Sequence, residues 1–343
     1  MKTIVLCGFI LGLCCSVLAV ERVWTGGGSD SNWSTADNWG GTAPVAGDSL
    51  VFAGTTGLVN TNDFPSGTSF AGIKFNSGAG SFVLNGNKII LAGELISEDD
   101  SYQTLNLPVD LISDTTVISN NVSDSRIVLN GHIGGNGGIF KDGDAYLEIT
   151  ASNSYDGATL IQRGRVIAKD SFAFGSTNGI TTVHRVESGN GSLEIDGDGM
   201  NIYESFEFRN VDTTGYSFIN RQGSNTLHAA YTVQGGRHFF DSGTTCVFKK
   251  GISPIGDPMT ILCGSGTIIF DDKVNLGSDG RFYADQWTRI YLNVSSNIWG
   301  LTTFGRGHLI MNAVNALPEN TSFKLALGYG PYGTLDLSWL TWT

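Results

Sequence analysis

Three tryptophans, Trp24, Trp33 and Trp39, stand among Gly, Asn and Asp residues in the stretch VWTGGGSDSNWSTADNWGGTAPVAGDSLVF, residues 23–52. Flat rings beside amide and carboxylate oxygens suit a sugar-binding face, where rings stack on the sugar and polar side chains take its hydroxyls. The same rings would also close the end of an elongated β fold, covering an exposed core at low conformational cost. Trp339 and Trp342, near the other end of the chain, pose the same alternative. Terminal placement favours capping, and Trp24, Trp33 and Trp39 stand as the candidate carbohydrate contacts.

Carboxylate pairs come next. Asp142 and Asp144, and Asp196 and Asp198, each flank a glycine. Residues two apart on a strand share a face, so either pair could offer oxygens to calcium. Asp-Gly is also ordinary turn chemistry, which is the more economical reading. These four are weak metal candidates, and calcium is the one cofactor in view. Asp271, Asp272 and Lys273 form a third polar group of the kind that polysaccharide lyases and hydrolases use. The Gly-rich run at 134–137 begins like a calcium-binding nonapeptide, but Ile139 stands where an aspartate is needed. The histidines, 132, 184, 228, 238 and 308, have no metal-ligand spacing. The chain has neither a Gly-x-Ser-x-Gly elbow nor a phosphate loop. No catalytic residue is assigned.

The first residues, MKTIVLCGFILGLCCSVLAV, combine one early lysine, a short apolar run and a small-residue ending. That is the pattern of a secretory signal, expected to span 1–19 and to be cleaved after Ala19. It holds Cys7, Cys14 and Cys15, which leaves Cys246 and Cys263 in the mature chain. Two cysteines in an exported protein invite one disulfide, and a Cys246–Cys263 bond is expected. With 32 acidic against 20 basic residues the net charge is -12, which repels phosphate backbones and argues against a nucleic-acid partner. Outside the signal no apolar run approaches membrane-spanning length.

The elements that would carry these residues are short. Blocks such as GIKF (72–75), SFVL (81–84), KIIL (88–91), RIVL (126–129), YLEIT (146–150), ATLI (158–161) and RVIA (165–168) alternate with clusters of Gly, Asn, Asp and Ser. No stretch of helical period separates them, so the chain is all-β. A sandwich of this length would need several domains, yet 7 prolines and no linker-like segment argue against boundaries. A solenoid fits better. Coils of roughly 20–25 residues, on the order of a dozen, would stack at about 4.8 Å with inward Val, Ile, Leu and Phe. The open ends of such a rod need caps.

Residues 137–168, GGIFKDGDAYLEITASNSYDGATLIQRGRVIA, resemble the autotransporter-associated β-strand repeat. The resemblance rests on Gly137, Gly138, Lys141, Gly143, Leu147, Ile149, Asn153, Tyr155, Gly157, Thr159, Ile161, Gly164 and Val166. It covers about a tenth of the chain directly, with weaker echoes at 172–183 and 317–337. It implies a right-handed, single-stranded parallel β-helix in a secreted or surface-exposed bacterial protein, adhesin-like or structural in role. The motif contains no catalytic residues to carry over. Members usually continue beyond the GTLDL segment, whereas this chain runs SWLTWT and stops, so an incomplete C-terminal end is expected.

The expected organisation is therefore a signal at 1–19, a capping segment at 20–68 and a parallel β-helix at 69–343. The expected role is a non-catalytic secreted or cell-surface structural or adhesive module. Its partners would be extracellular polysaccharide or cell-surface components. The alternative is a polysaccharide-binding or polysaccharide-degrading β-helix.

Overall fold

A computed structural model describes residues 19–336 apart from 113–115, 121, 123–124, 185–190, 210–214, 256–258, 278–279, 285–286, 296, 305–306, 318–321 and 326–333. The expected signal segment up to residue 18, with its three cysteines, and Trp339 and Trp342 lie outside the described residues. The chain is an all-β solenoid of about 10 turns built from parallel sheets. The described residues hold no α-helix, only a 3-10 turn at Ala36–Trp39.

Three faces run along the rod. One is an 11-stranded sheet that begins with Glu21–Trp24 and Ser49–Phe52; the second is a 13-stranded sheet that begins with Val59–Asn62. The third face is split into a 4-stranded sheet, Thr68–Phe70 to Ile133–Gly135, and a 7-stranded sheet that begins at Asn201–Ile202. Equivalent positions in successive coils recur at intervals such as 20 residues for Ile90 and Asp110, or 24 for Leu105 and Leu129. The coil length expected from the sequence is thus met, although the turns number about 10 rather than a dozen.

Side-chain alternation explains why such short strands suffice. Along the first sheet Leu50, Ile73, Leu95 and Ile118 pair in sequence and form one inward column. Along the second, Ile127, Leu147, Val166, Leu193 and Phe218 form another. All nine are buried in one continuous core. Each rung alone buries little, and stacking makes the core continuous while the backbone bonds run from coil to coil.

Where the third face is split, two coils cross it without strands. Backbone bonds still join the coils there, such as Ser154 N–H to Ile133 O at 2.8 Å and Ser176 N–H to Tyr155 O at 2.9 Å, and a polar side chain adds to them: the buried Asn153 accepts from the Ile133 N–H at 2.8 Å and donates to the Ala173 carbonyl at 2.9 Å. Asn297 does the same between Val274 and Ala316, at 2.8 and 2.6 Å. An amide side chain can bridge coils in this way because it carries both a donor and an acceptor.

The expected disulfide is a correction. Cys246 and Cys263 are both buried and are not joined to each other by a disulfide. Cys246 lies in Thr245–Phe248 of the 7-stranded sheet and joins the core. Cys263 lies in Met259–Gly264 of the 13-stranded sheet, where its neighbour Leu262 takes the inward position. Alternation turns Cys263 to the outer side of its strand, so the two thiols lie on opposite sides of the wall.

Candidate functional site

The N-terminal tryptophans resolve as a lid. Trp24, Trp33 and Trp39 are 1%, 0% and 5% exposed. Trp24 and Trp33 meet Trp39 edge to face at 5.1 and 6.3 Å, and Trp33 packs on Phe52 and Phe70, both at 5.8 Å. Each indole N–H has an acceptor: Gly57 O at 3.1 Å, Asn60 Oδ1 at 2.7 Å and Trp33 O at 2.7 Å, respectively. The segment also covers strand edges. Asn32 bridges to Thr61, and the Gly47 N–H reaches Ser69 O at 2.9 Å. These tryptophans therefore present no open ring to a sugar, which corrects their candidacy as carbohydrate contacts. The solenoid register also starts earlier than the segmentation suggested, because Glu21–Trp24 pairs in parallel with Ser49–Phe52 inside the expected capping segment.

The loops are fastened by local polar contacts. The buried Asn38 accepts from the Gly28 N–H at 2.9 Å and donates to Asn32 O at 2.9 Å. Asp30 accepts from the Asn32 N–H, at 3.0 Å, and from the Thr35 hydroxyl, at 2.9 Å, and these bonds hold its carboxyl below the usual carboxylate range.

The four metal candidates are not brought together. Asp142 and Asp144 flank Arg163, at 3.7 and 3.0 Å. Asp196 contacts Lys169 at 3.4 Å, and Asp198 accepts the Ser224 N–H at 2.8 Å. Asp271 accepts from Lys249 at 2.5 Å and from the Asn293 amide at 2.6 Å. Among the described residues, no group of three His, Cys, Asp or Glu side chains is close enough to hold a metal ion.

The residues behind the repeat resemblance are fasteners. Lys141 is wholly buried in the inward column between Ile118 and Ile161, and its ammonium donates to Asp142 O at 2.5 Å and Gly143 O at 2.6 Å. Burial pulls its pKa down to about 7, against the pull of Asp142 and Asp144. The buried Tyr155 hydroxyl bonds the Thr159 hydroxyl at 2.7 Å. Gly164 has φ +67, and a side chain there would strike the carbonyls of Ala145 and Gly143.

The densest polar cluster was not singled out from the sequence. It lies on the outer face of the 13-stranded sheet. Tyr102, Arg126, Tyr146 and Arg165 pair in register and form one column. The Arg126 guanidinium sits 5.3 and 5.4 Å from the ring centres of Tyr102 and Tyr146, and that of Arg165 lies 5.5 Å from Tyr146. Beside this column Glu148 bonds Arg126 and, at 3.3 Å, Lys169. Glu194 meets Arg165 at 2.8 Å and takes two bonds from Arg221, each 3.1 Å; Arg221 also reaches Asp241 at 3.0 Å. Glu148 and Glu194 are buried although they face outward, each flanked by cations from neighbouring rungs. These carboxylate bonds hold the Arg221 guanidinium even more firmly protonated than usual, against the cost of burial.

Two inward titratable groups complete the picture. Glu204 is 7% exposed; one oxygen accepts from Thr181 at 3.2 Å and the other has no hydrogen-bond partner. Burial pushes its pKa up to about 7. His238 takes the inward position paired with Leu262, accepts the Tyr231 hydroxyl or donates to it at 2.7 Å, and is pulled down by burial to about 4.

No protein-family model, no curated protein and no solved structure matches this chain.

Proposed function

We propose that this chain is a non-catalytic module of a secreted or cell-surface bacterial protein, a stiff β-solenoid that acts as a structural or adhesive passenger. One observation carries the reading. The carboxylates of the densest lateral cluster, Glu148, Glu194, Asp196 and Asp241, are each bonded to an arginine or lysine. A general acid or base needs a proton it can exchange with substrate at working pH. A carboxylate locked between cations serves the wall of the rod instead.

The signal-like N-terminus supports export, and the likeness of residues 137–168 to the autotransporter-associated repeat supports a surface setting. The buried positions of Lys141, Asn153 and Tyr155 support an architectural role for that stretch. Under this reading a rod displays a long lateral surface at low material cost, which suits attachment.

Attachment of beads carrying the full chain to bacterial and host cell surfaces tests the proposal. Saturable attachment, competed by free chain, is the expected result. Beads that attach no better than uncoated ones would contradict the adhesive role.

A further inference from the structure

We propose that the outer face of the 13-stranded sheet binds an uncharged oligosaccharide, with one sugar ring stacked on Tyr102 above Ser81. The proposal deepens the adhesive reading, on which it rests, by naming a ligand class and a place.

Tyr102 ends the aromatic and cationic column. Tyr102 is 50% exposed, and Arg126 lies over its ring from the next rung. Val83 pairs with Thr104, so the same register puts Ser81 one rung before Tyr102. Ser81 is small and exposed. One ring face is therefore occupied by a guanidinium and the other overlooks a low step. Tyr146 differs, because Arg126 and Arg165 lie against its ring from the two neighbouring rungs. An amphipathic ring with a free face and a polar surround is what a sugar's C–H face needs.

Charge selects the class of chain. The whole protein carries -12, yet on this face cations and carboxylates alternate and are paired with one another. A polyanion would have to displace Glu148 and Glu194 from their arginines, and a polycation would have to displace the arginines. A neutral polyol displaces neither, since its hydroxyls both donate and accept at the edges of the ion pairs.

Calorimetric titration of the full chain with cellohexaose, mannohexaose, xylohexaose and chitohexaose, beside polygalacturonate, tests this at low and high salt. At least one neutral hexaose should bind saturably and independently of salt. Tyr102→Ala should weaken it about tenfold, Tyr102→Trp should keep it, and both variants should still unfold cooperatively, the alanine variant losing only the Arg126 stack. Absence of binding by every neutral hexaose, equal binding by Tyr102→Ala, or salt-sensitive binding of polygalacturonate alone would overturn the proposal. Beads carrying Tyr102→Ala separate the two claims. If they attach to cells as well as the parent, the platform fails and the adhesive module stands. If the parent binds a hexaose through Tyr102 but its beads do not attach, the module reading fails and the platform stands.

Discussion

The Trp33 indole donates its N–H to the Asn60 side chain at 2.7 Å, with Trp33 and Asn60 both fully buried. This bond ties the lid to the second sheet, because Asn60 is an inward residue of its first strand, Val59–Asn62. A solenoid end exposes core and strand edges together, and here one side chain seals both.

Trp33→Ala should cost about 3–5 kcal/mol, and Trp33→Phe about 1–3 kcal/mol, because it orphans the Asn60 oxygen. Denaturant unfolding measures both. A loss under 1 kcal/mol for the alanine variant would mean that the lid is not part of the cooperative unit.

Lys141→Met keeps length and burial but leaves the Asp142 and Gly143 carbonyls without their ammonium donor. The expected loss at neutral pH is about 1–3 kcal/mol. The lysine also sets a pH dependence. The unfolded chain holds its proton up to about 10.5 and the folded chain only up to about 7, so this residue makes stability rise from pH 7 towards 10.5. Unfolding curves for parent and Lys141→Met should diverge in slope across that window.

Glu204 has the opposite slope. Burial raises its pKa from 4.5 to about 7, so the folded state holds the extra proton between those values. Its contribution is fully present below pH 4.5 and is lost as pH rises to 7. Glu204→Gln, which keeps the shape without the charge, should flatten this decline and raise the Tm at pH 8. Identical pH profiles for parent and variant would refute the assignment.

Glu194→Gln removes the charge that Arg165 and Arg221 share. Since the arginines are partly exposed, a loss of about 1–2 kcal/mol is expected. Double-mutant cycles with Arg221→Met should show coupling between the two sites. Simple additivity would mean that the pair contributes nothing to folding.

Much of the rod was legible in the sequence. GIKF, RIVL and RVIA are strands with the boundaries read from alternation, and KIIL loses only its lysine. Of the terminal aromatics read as caps, Trp24, Trp33 and Trp39 are buried over the first coils, while Trp339 and Trp342 lie outside the described residues. The Tyr102–Arg126–Tyr146–Arg165 column was not legible, because its members are separated by whole coils of varying length, and rung pairing is a tertiary property. Their shared position in successive strand blocks was the available signal. The cysteine pairing failed for a related reason. Sequence separation says nothing about the side of the strand on which Cys263 points, whereas the inward position of its neighbour Leu262 decides it.

The central claim is that the lateral carboxylates hold the rod together and do no chemistry. Its most direct test is turnover of neutral and acidic polysaccharides by the full chain, with and without calcium, read as new reducing ends and unsaturated uronides. No turnover above buffer is predicted for the parent, while Glu194→Gln lowers stability. Turnover by the parent that disappears in a still-folded Glu194→Gln variant would contradict the account.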